Sequence, residues 1–273
     1  MNQFEKQSGM YAPQGLIVAT ELASQIASIA ESLGLALLEA GSFESGLCLF
    51  FDEEGLALQY SEPGKKPMRL RADFLAGKTG FRLGQAIGRH QPLAKAVGAH
   101  KKLPLNIIDL TAGLGRDSMV LALLGCHVTM LERQPVVAAL LADGLRRAQA
   151  NSELSQVIDE RIKFIQQDGL QWLAQADVNR QESVVYYDPM YPKREKSSLV
   201  KKEMRLFQHL IGADHDVDEN FLQLCQMGFG RIVVKRPRYA DCIANSPPTH
   251  QIVSKSTRWD VYLPGVTVSS GKA

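Results

Sequence analysis

The 273-residue sequence predicts an α/β architecture, a doubly wound parallel sheet preceded by a small α+β region. Three observations lead there. From Leu105 onward, short apolar runs of strand length alternate with segments of helical periodicity, the pattern of repeated strand-helix-strand units. A glycine-bearing loop, Asp109-Leu-Thr-Ala-Gly113-Leu-Gly115-Arg116-Asp117, stands at the first strand-to-helix junction, where such sheets bind ligands. The first hundred or so residues lack that alternation.

Taken in order, residues 20–33 place Leu22, Ile26, Ile29 and Leu33 at helical spacing. LCLFF (47–51) and LALQY (56–60) flank the turn Asp52 to Gly55 as a hairpin. Charge and proline at 101–104 interrupt the pattern, so the expected division is a region 1–102, basic in its second half, and a domain 103–273. Within the latter, strands are expected at 106–110, 127–132, 162–168, 183–189 and 231–237. Helices are expected at 117–125, at 135–150 with Pro135 in the first turn, at 197–212 and at 216–228. QIVSKST and RWDVYLP read as a closing hairpin.

Composition narrows the function classes. Hydrophobic residues at 45% and charged residues at 22% are ordinary for a globular chain and exclude a mostly disordered or fibrous one. The longest apolar runs fall short of the roughly 18 residues a membrane-spanning helix needs. The first ten residues show no secretory pattern, so the expected address is cytoplasmic. Four cysteines without paired spacing argue against a disulfide framework or a zinc site, and no metal is expected. The net charge of +2 hides a gradient: residues 1–60 hold one base against eight acids, and residues 61–102 hold ten bases against two. A block of net +8 suits a polyanion such as nucleic acid. Two further basic runs, 193–205 and 231–238, emerge at or near strand ends and extend that reading to a phosphate-binding rim, unless Lys235 and Arg236 instead pair with nearby acids.

The chemistry-bearing residues cluster at strand ends. Asp109 closes the first strand of the alternating region, where an acid either orders the loop or meets a cationic amino-acid moiety. Glu132 closes the next strand, 23 residues on, in the place where a carboxylate accepts both hydrogen bonds of a ribose diol. Asp168, with Gly169 after it, either meets an adenine amino group or caps the following helix. Ser118 replaces the third glycine of the dinucleotide fingerprint, which disfavours a nicotinamide site. Asp188-Pro189-Met190-Tyr191-Pro192 ends the fourth strand. A nucleobase exocyclic amine is a poor nucleophile, because its lone pair is delocalised into the ring. The Asp188 carboxylate and the Pro189 carbonyl can hold its hydrogens and aim the lone pair, while Tyr191 stacks on the base.

That acid-Pro-x-aromatic loop resembles the loop of S-adenosylmethionine (SAM)-dependent amino-methyltransferases. DLTAGLGRDS (109–118), MLERQPVVAALLADGLRR (130–147), YDPMYPKREKSSLVKKEMR (187–205) and VVKRPRYA (233–240) further resemble the RsmJ family of bacterial small-subunit ribosomal RNA methyltransferases. The resemblance implies a Rossmann-like SAM-dependent methyltransferase fold, with SAM as methyl donor and S-adenosyl-L-homocysteine as product. It further implies 16S rRNA or the small ribosomal subunit as partner, with methylation of a guanine N2. It places SAM contacts on Arg116, Asp117, Glu132, Arg133, Asp168, Gly169 and Asp188, beside the loop glycines Gly113 and Gly115. The residues alone leave open amino methylation of DNA adenine or protein glutamine, and a non-catalytic RNA-binding or ribosome-assembly factor.

Overall fold

The computed structural model describes residues 12–18, 23–39, 41, 43–75, 88–190, 210, 214 and 216–264. In chain order its elements are β1 (Leu16–Val18), α1 (Ala23–Leu33), β2 (Leu37–Leu38), β3 (Gly46–Asp52), β4 (Gly55–Ser61), β5 (Met68–Leu70), α2 (Pro92–Val97), β6 (Asn106–Asp109), α3 (Arg116–Leu123), β7 (His127–Leu131) and α4 (Pro135–Gln149). There follow α5 (Ser152–Arg161), β8 (Ile162–Ile165), α6 (Gly169–Gln175), β9 (Ser183–Tyr187), α7 (Val217–Gln226), β10 (Arg231–Pro237), a 3-10 turn (Ile243–Asn245), β11 (His250–Val253) and β12 (Thr257–Tyr262). Apart from residue 210, the expected helix 197–212 lies outside the described residues. Among the described residues no helix is long and apolar enough to cross a membrane.

The chain forms two compact units, one drawn from 1–73, 134–147 and 190–215, the other from 74–133, 148–189 and 216–273. The first holds a five-stranded sheet in the order β2-β1-β3-β4-β5. Its centre is the β3–β4 hairpin, in which Asp52 pairs with Gly55 across the turn. Gly55 adopts a φ of +100°, a conformation that a side chain would strain. Leu47, Leu49, Leu56 and Leu58 are buried, and each such side chain contributes roughly 1.5–3 kcal/mol relative to exposure. The turn is tied to α4 within this unit. The Asp143 carboxylate, whose side chain is 4% exposed, accepts from Leu56 N at 2.9 Å, Arg146 Nη2 at 2.9 Å and Arg147 Nε at 2.8 Å. Burial alone would raise its pKa, yet these donors hold it below the usual carboxylate value. Gly144 lies against Ala72 so closely that a Cβ there would come within 2.6 Å of the Ala72 Cβ and carbonyl oxygen.

The second unit holds a seven-stranded sheet in the order β11-β12-β10-β9-β6-β7-β8. Strands β6 to β10 run parallel, whereas β12 is antiparallel to both β10 and β11. The closing hairpin is thus the antiparallel edge of an otherwise parallel sheet. Strand order reverses at β6, which has β7 on one side and β9 on the other, and ligands of such sheets sit outside the carboxyl ends at that point. Helix α2 packs on β10, β11 and β12, with Arg231 Nη1 donating to the Ala96 carbonyl at 2.9 Å. Helix α5 was not expected from the sequence. It is capped by Asn151, whose side chain accepts from Glu153 N at 3.0 Å.

Candidate active site

Strand β6 delivers Asp109 to the switch point, where the carboxylate is 2% exposed. Its Oδ1 accepts from Thr111 N at 3.1 Å and its Oδ2 from the Ser118 hydroxyl at 2.5 Å. Burial pushes the carboxyl up to about 7, against the pull of those two hydrogen bonds. Of the two roles open to it, Asp109 performs the internal one, ordering the loop. The loop needs its glycines: Gly113 has φ +55° and Gly115 φ +71°, both left-handed. A Cβ on Gly113 would meet only the Thr111 carbonyl, at 4.0 Å, so that side of the loop is open to a ligand's approach. Gly115 caps α3 without any side-chain bond. The amino end of such a helix favours negative charge.

Glu132 follows β7 and is 7% exposed, and its Oε2 accepts from Gly113 N at 2.9 Å. The strand-end acid and the glycine loop are thereby one structure. Arg133 Nη1 lies 3.0 Å from Asp216 Oδ2 and 3.5 Å from Asp168 Oδ2. Strand β8 stops at Ile165, three residues before Asp168, and Asp168 caps α6 by accepting from Leu170 N at 3.0 Å and Gln171 N at 3.1 Å. Gly169 is required sterically, since a Cβ would sit 2.9 Å from the Leu110 Cβ. The set fits SAM. The open face of Gly113 and the uncapped α3 terminus suit its carboxylate, Glu132 its ribose diol, and the Asp168–Gly169 corner its adenine edge.

Asp188 leaves the carboxyl end of β9, its backbone N donating to Thr111 Oγ1 at 2.7 Å, and buried Pro189 follows it. Its Oδ2 lies 2.8 Å from the Nζ of Lys235, which also lies 2.8 Å from Asp117 Oδ2. Asp117 Oδ2 accepts in addition from the Tyr186 hydroxyl at 2.7 Å, and that hydroxyl accepts from Trp259 Nε1 at 3.2 Å. One ammonium thus bridges two carboxylates across β9, β10 and the start of α3. Burial raises the Asp188 carboxyl above its ordinary value, the Lys235 charge pulls it back, and the Asp117 charge adds to the rise. Desolvation works against the Lys235 ammonium, but the two carboxylates outweigh it and keep the group charged. Beyond Pro189, Met190 N donates to Asp214 Oδ2 at 2.8 Å and Asp214 N donates back to the Met190 carbonyl at 2.9 Å.

The structure thus brings Gly113, Gly115, Arg116, Asp117, Glu132, Arg133, Asp168, Gly169, Asp188 and Pro189 to the carboxyl ends of β6, β7, β8 and β9. Tyr191, Pro192 and the basic run 193–205 lie outside the described residues. Lys235 pairs with acids, the alternative to a phosphate contact that the sequence left open, and what sequence reasoning missed is that its one ammonium bridges Asp117 and Asp188. The signal was there, a lysine inside an apolar strand that neighbours an acid-ended one. Among the described residues, several bases expected on a phosphate-binding rim have partners within the chain. Lys235 is held by acids, Arg231 by Ala96, and Arg236 Nη2 donates to the Asp241 carbonyl at 2.6 Å. In the +8 block, Arg69 pairs with Asp52 at 3.1 Å, and Arg71 pairs with Asp52 at 2.5 Å and Glu54 at 2.8 Å.

Comparison with known proteins agrees with this geometry. A family model described as "Putative SAM-dependent methyltransferase" matches residues 29–264. The ribosomal RNA small subunit methyltransferase J of Thioalkalivibrio sulfidiphilus is 44% identical over 246 residues, 90% of this chain and 95% of that one. Its counterpart from Shewanella piezotolerans is 42% identical over 267 residues, 95% of this chain and 96% of that one. The crystal structure of a SAM-dependent methyltransferase from Neisseria gonorrhoeae superposes with a TM-score of 0.66 at 30% identity, covering 95% of this chain and 99% of that one. The chain belongs to the family of SAM-dependent methyltransferases that includes the ribosomal RNA small subunit methyltransferases J.

Proposed function

We propose that this chain methylates the exocyclic N2 amine of a guanosine in 16S ribosomal RNA. The observation that carries the reading is Asp188, held at the carboxyl end of β9 beside the glycine loop and followed by a buried proline. The names of its relatives point to the same substrate class. When bound, SAM supplies an electrophilic methyl group. The chain's own residues do the rest. Gly113, Gly115, Arg116, Asp117, Glu132, Arg133, Asp168 and Gly169 bind and orient the cofactor. The Asp188 carboxylate and the Pro189 carbonyl accept the two amine hydrogens, which turns the nitrogen lone pair toward the methyl. Tyr191 stacks on the guanine. Residues 103–273 carry the reaction, and residues 1–102 help to grip the RNA.

The test is single-turnover methylation of 16S rRNA at saturating SAM, with N2-methylguanosine read by mass spectrometry of nucleosides. Asp188→Ala is expected to lose on the order of 10²-fold or more in rate. Asp188→Asn retains more, since its amide oxygen still accepts one hydrogen bond. A wild-type rate in Asp188→Ala removes the assignment.

A further inference from the structure

The loop that follows β10 has no part in the site described above, yet it is the most tightly organised segment on that rim. Arg258, 7% exposed, directs all five of its N–H groups inward. Two meet Asp260, Nε at 2.9 Å from Oδ1 and Nη2 at 3.0 Å from Oδ2. The other three meet main-chain carbonyls of the loop, those of Arg238 at 3.2 Å, of Ala240, and of Asp241 at 3.2 Å. Arg236 donates to the Asp241 carbonyl too, Arg238 N donates to the Ser256 carbonyl at 3.1 Å, and Ala240 N closes a turn onto Pro237 at 3.0 Å. Just downstream, Ala244 and Asn245 hold left-handed φ values of 47° and 50°. Residues other than glycine keep that conformation only where the surroundings over-determine it. Here Asp218 Oδ1 accepts from Ala244 N at 2.8 Å, and the Ser246 carbonyl accepts from the Tyr262 hydroxyl at 2.9 Å.

What this framework presents to solvent is one aromatic ring. Tyr239 is 81% exposed, the most exposed large apolar side chain among the described residues, and the Arg238 guanidinium lies 5.3 Å from its ring centroid. Its chain neighbours Arg238 and Asp241 are exposed charged residues, and no other exposed large apolar side chain lies within ten positions of it among the described residues. A protein-docking hot spot would need an apolar surround. A rigid, solvated ring beside a cation is instead the pairing that binds single-stranded nucleic acid, through base stacking and a phosphate contact. The ring stands four residues past Lys235, whose ammonium touches Asp188. At about 3.3–3.6 Å per residue, that keeps the Tyr239 backbone within about 14 Å of the Lys235 backbone.

We propose that Tyr239, braced from beneath by Arg258, is a stacking platform for an unpaired RNA base near the target nucleotide, with Arg238 on the adjoining phosphate. The proposal rests on the reading of the substrate as RNA. Its advantage is preorganisation, since the loop has little order left to gain on binding.

The experiment measures binding of the full chain to protein-free 16S rRNA, to a fluorescent single-stranded RNA oligonucleotide and to assembled small ribosomal subunits, with S-adenosylhomocysteine affinity measured in parallel. Tyr239→Ala is expected to weaken RNA binding by about 5- to 150-fold, the loss of one stacked base. Tyr239→Phe binds as wild type, Arg238→Ala lowers the salt slope by about one, and all three bind S-adenosylhomocysteine normally. Tyr239→Ala binding RNA as tightly as wild type overturns the platform and leaves the methyltransferase reading intact. A loss that Tyr239→Phe shares equally overturns it as well, because stacking does not need the hydroxyl. A loss seen only with assembled small subunits assigns the loop to a ribosomal protein and overturns the RNA platform. Wild type that binds neither RNA takes down the substrate reading and the platform together.

Discussion

Replacing Lys235 by methionine removes the one ammonium between Asp117 and Asp188 while keeping most of the side-chain volume. Each carboxylate places an oxygen 2.8 Å from the lysine nitrogen, so those oxygens lie within twice that distance of each other. The repulsion between the two carboxylates is present in either protein; what the substitution removes is the ammonium's attraction for the Asp188 carboxylate, about 6 kcal/mol at 2.8 Å and an effective dielectric of about 20. Side-chain exposures of 34% at Asp188 and 25% at Asp117 let solvent screen part of this, so only a fraction of it reaches the Asp188 carboxyl. The direction is fixed. Losing the cation drives the Asp188 carboxyl further up, and a protonated carboxyl has lost the charge that would hold the amine hydrogen. The acid limb of the rate profile therefore moves to higher pH in Lys235→Met, with the rate recovering on the alkaline side. Lys235→Arg keeps a charge there and restores most of the profile. The assay is single-turnover methylation of 16S rRNA across pH at saturating SAM, which separates this effect from any change in cofactor affinity through Asp117. Superimposable profiles for wild type and Lys235→Met would refute the reasoning.

Two further outcomes follow from the same rim. Glu132→Ala is expected to weaken S-adenosylhomocysteine binding by about 1–3 kcal/mol by calorimetry, because it removes the strand-end acceptor and the partner of Gly113 N; an unchanged affinity misplaces the ribose. Asp109 predicts a stability effect. Its carboxyl titrates near 7 in the fold against an ordinary 3.8, so the folded state holds the proton more tightly. The stability it confers is complete below pH ~4 and lost as pH rises through ~7, on the order of 4 kcal/mol at most. Asp109→Asn is therefore expected to flatten the fall of thermal midpoint between pH 5 and pH 8, and an equal fall in both proteins counts against a buried ionising carboxyl.

The strands of the parallel sheet were legible because each is a short apolar run bounded by turn residues, and the β3–β4 hairpin because Asp52 to Gly55 interrupts two such runs. Helix α5 was not legible for a matching reason: among its ten residues only Leu154 and Ile158 are buried, too sparse a stripe to register as a period. The acids of the site were readable as strand ends, since the place where a strand stops is written locally. Their partners were not. The pairing of Lys235 with Asp117 spans 118 positions, and no local pattern announces it. Segment-wise charge hides pairings for the same reason. The acidic hairpin turn and the basic strand after it look like opposite blocks along the chain, and they neutralise each other once β4 and β5 pair, bringing Arg69 and Arg71 to Asp52.

The knot of contacts around Asp143 sets an order of events during synthesis. Leu56 and Asp143 are 87 positions apart, and the carbonyl of Ala72 is reached by an arginine at 147. The five-stranded sheet emerges first, but the helix that seals its hairpin turn does not exist until a further 75 residues, from Asp73 to Arg147, have been joined. At about 5–20 residues per second this is a wait of about 4 to 15 s, during which the backbone N–H of Leu56 has only water to bond. In the meantime the strands β6 and β7 are made, together with the glycine loop between them. The amino-terminal sheet is therefore first in sequence and late in completion, and it is finished by a helix that is added after half of the cofactor-binding rim has already been translated.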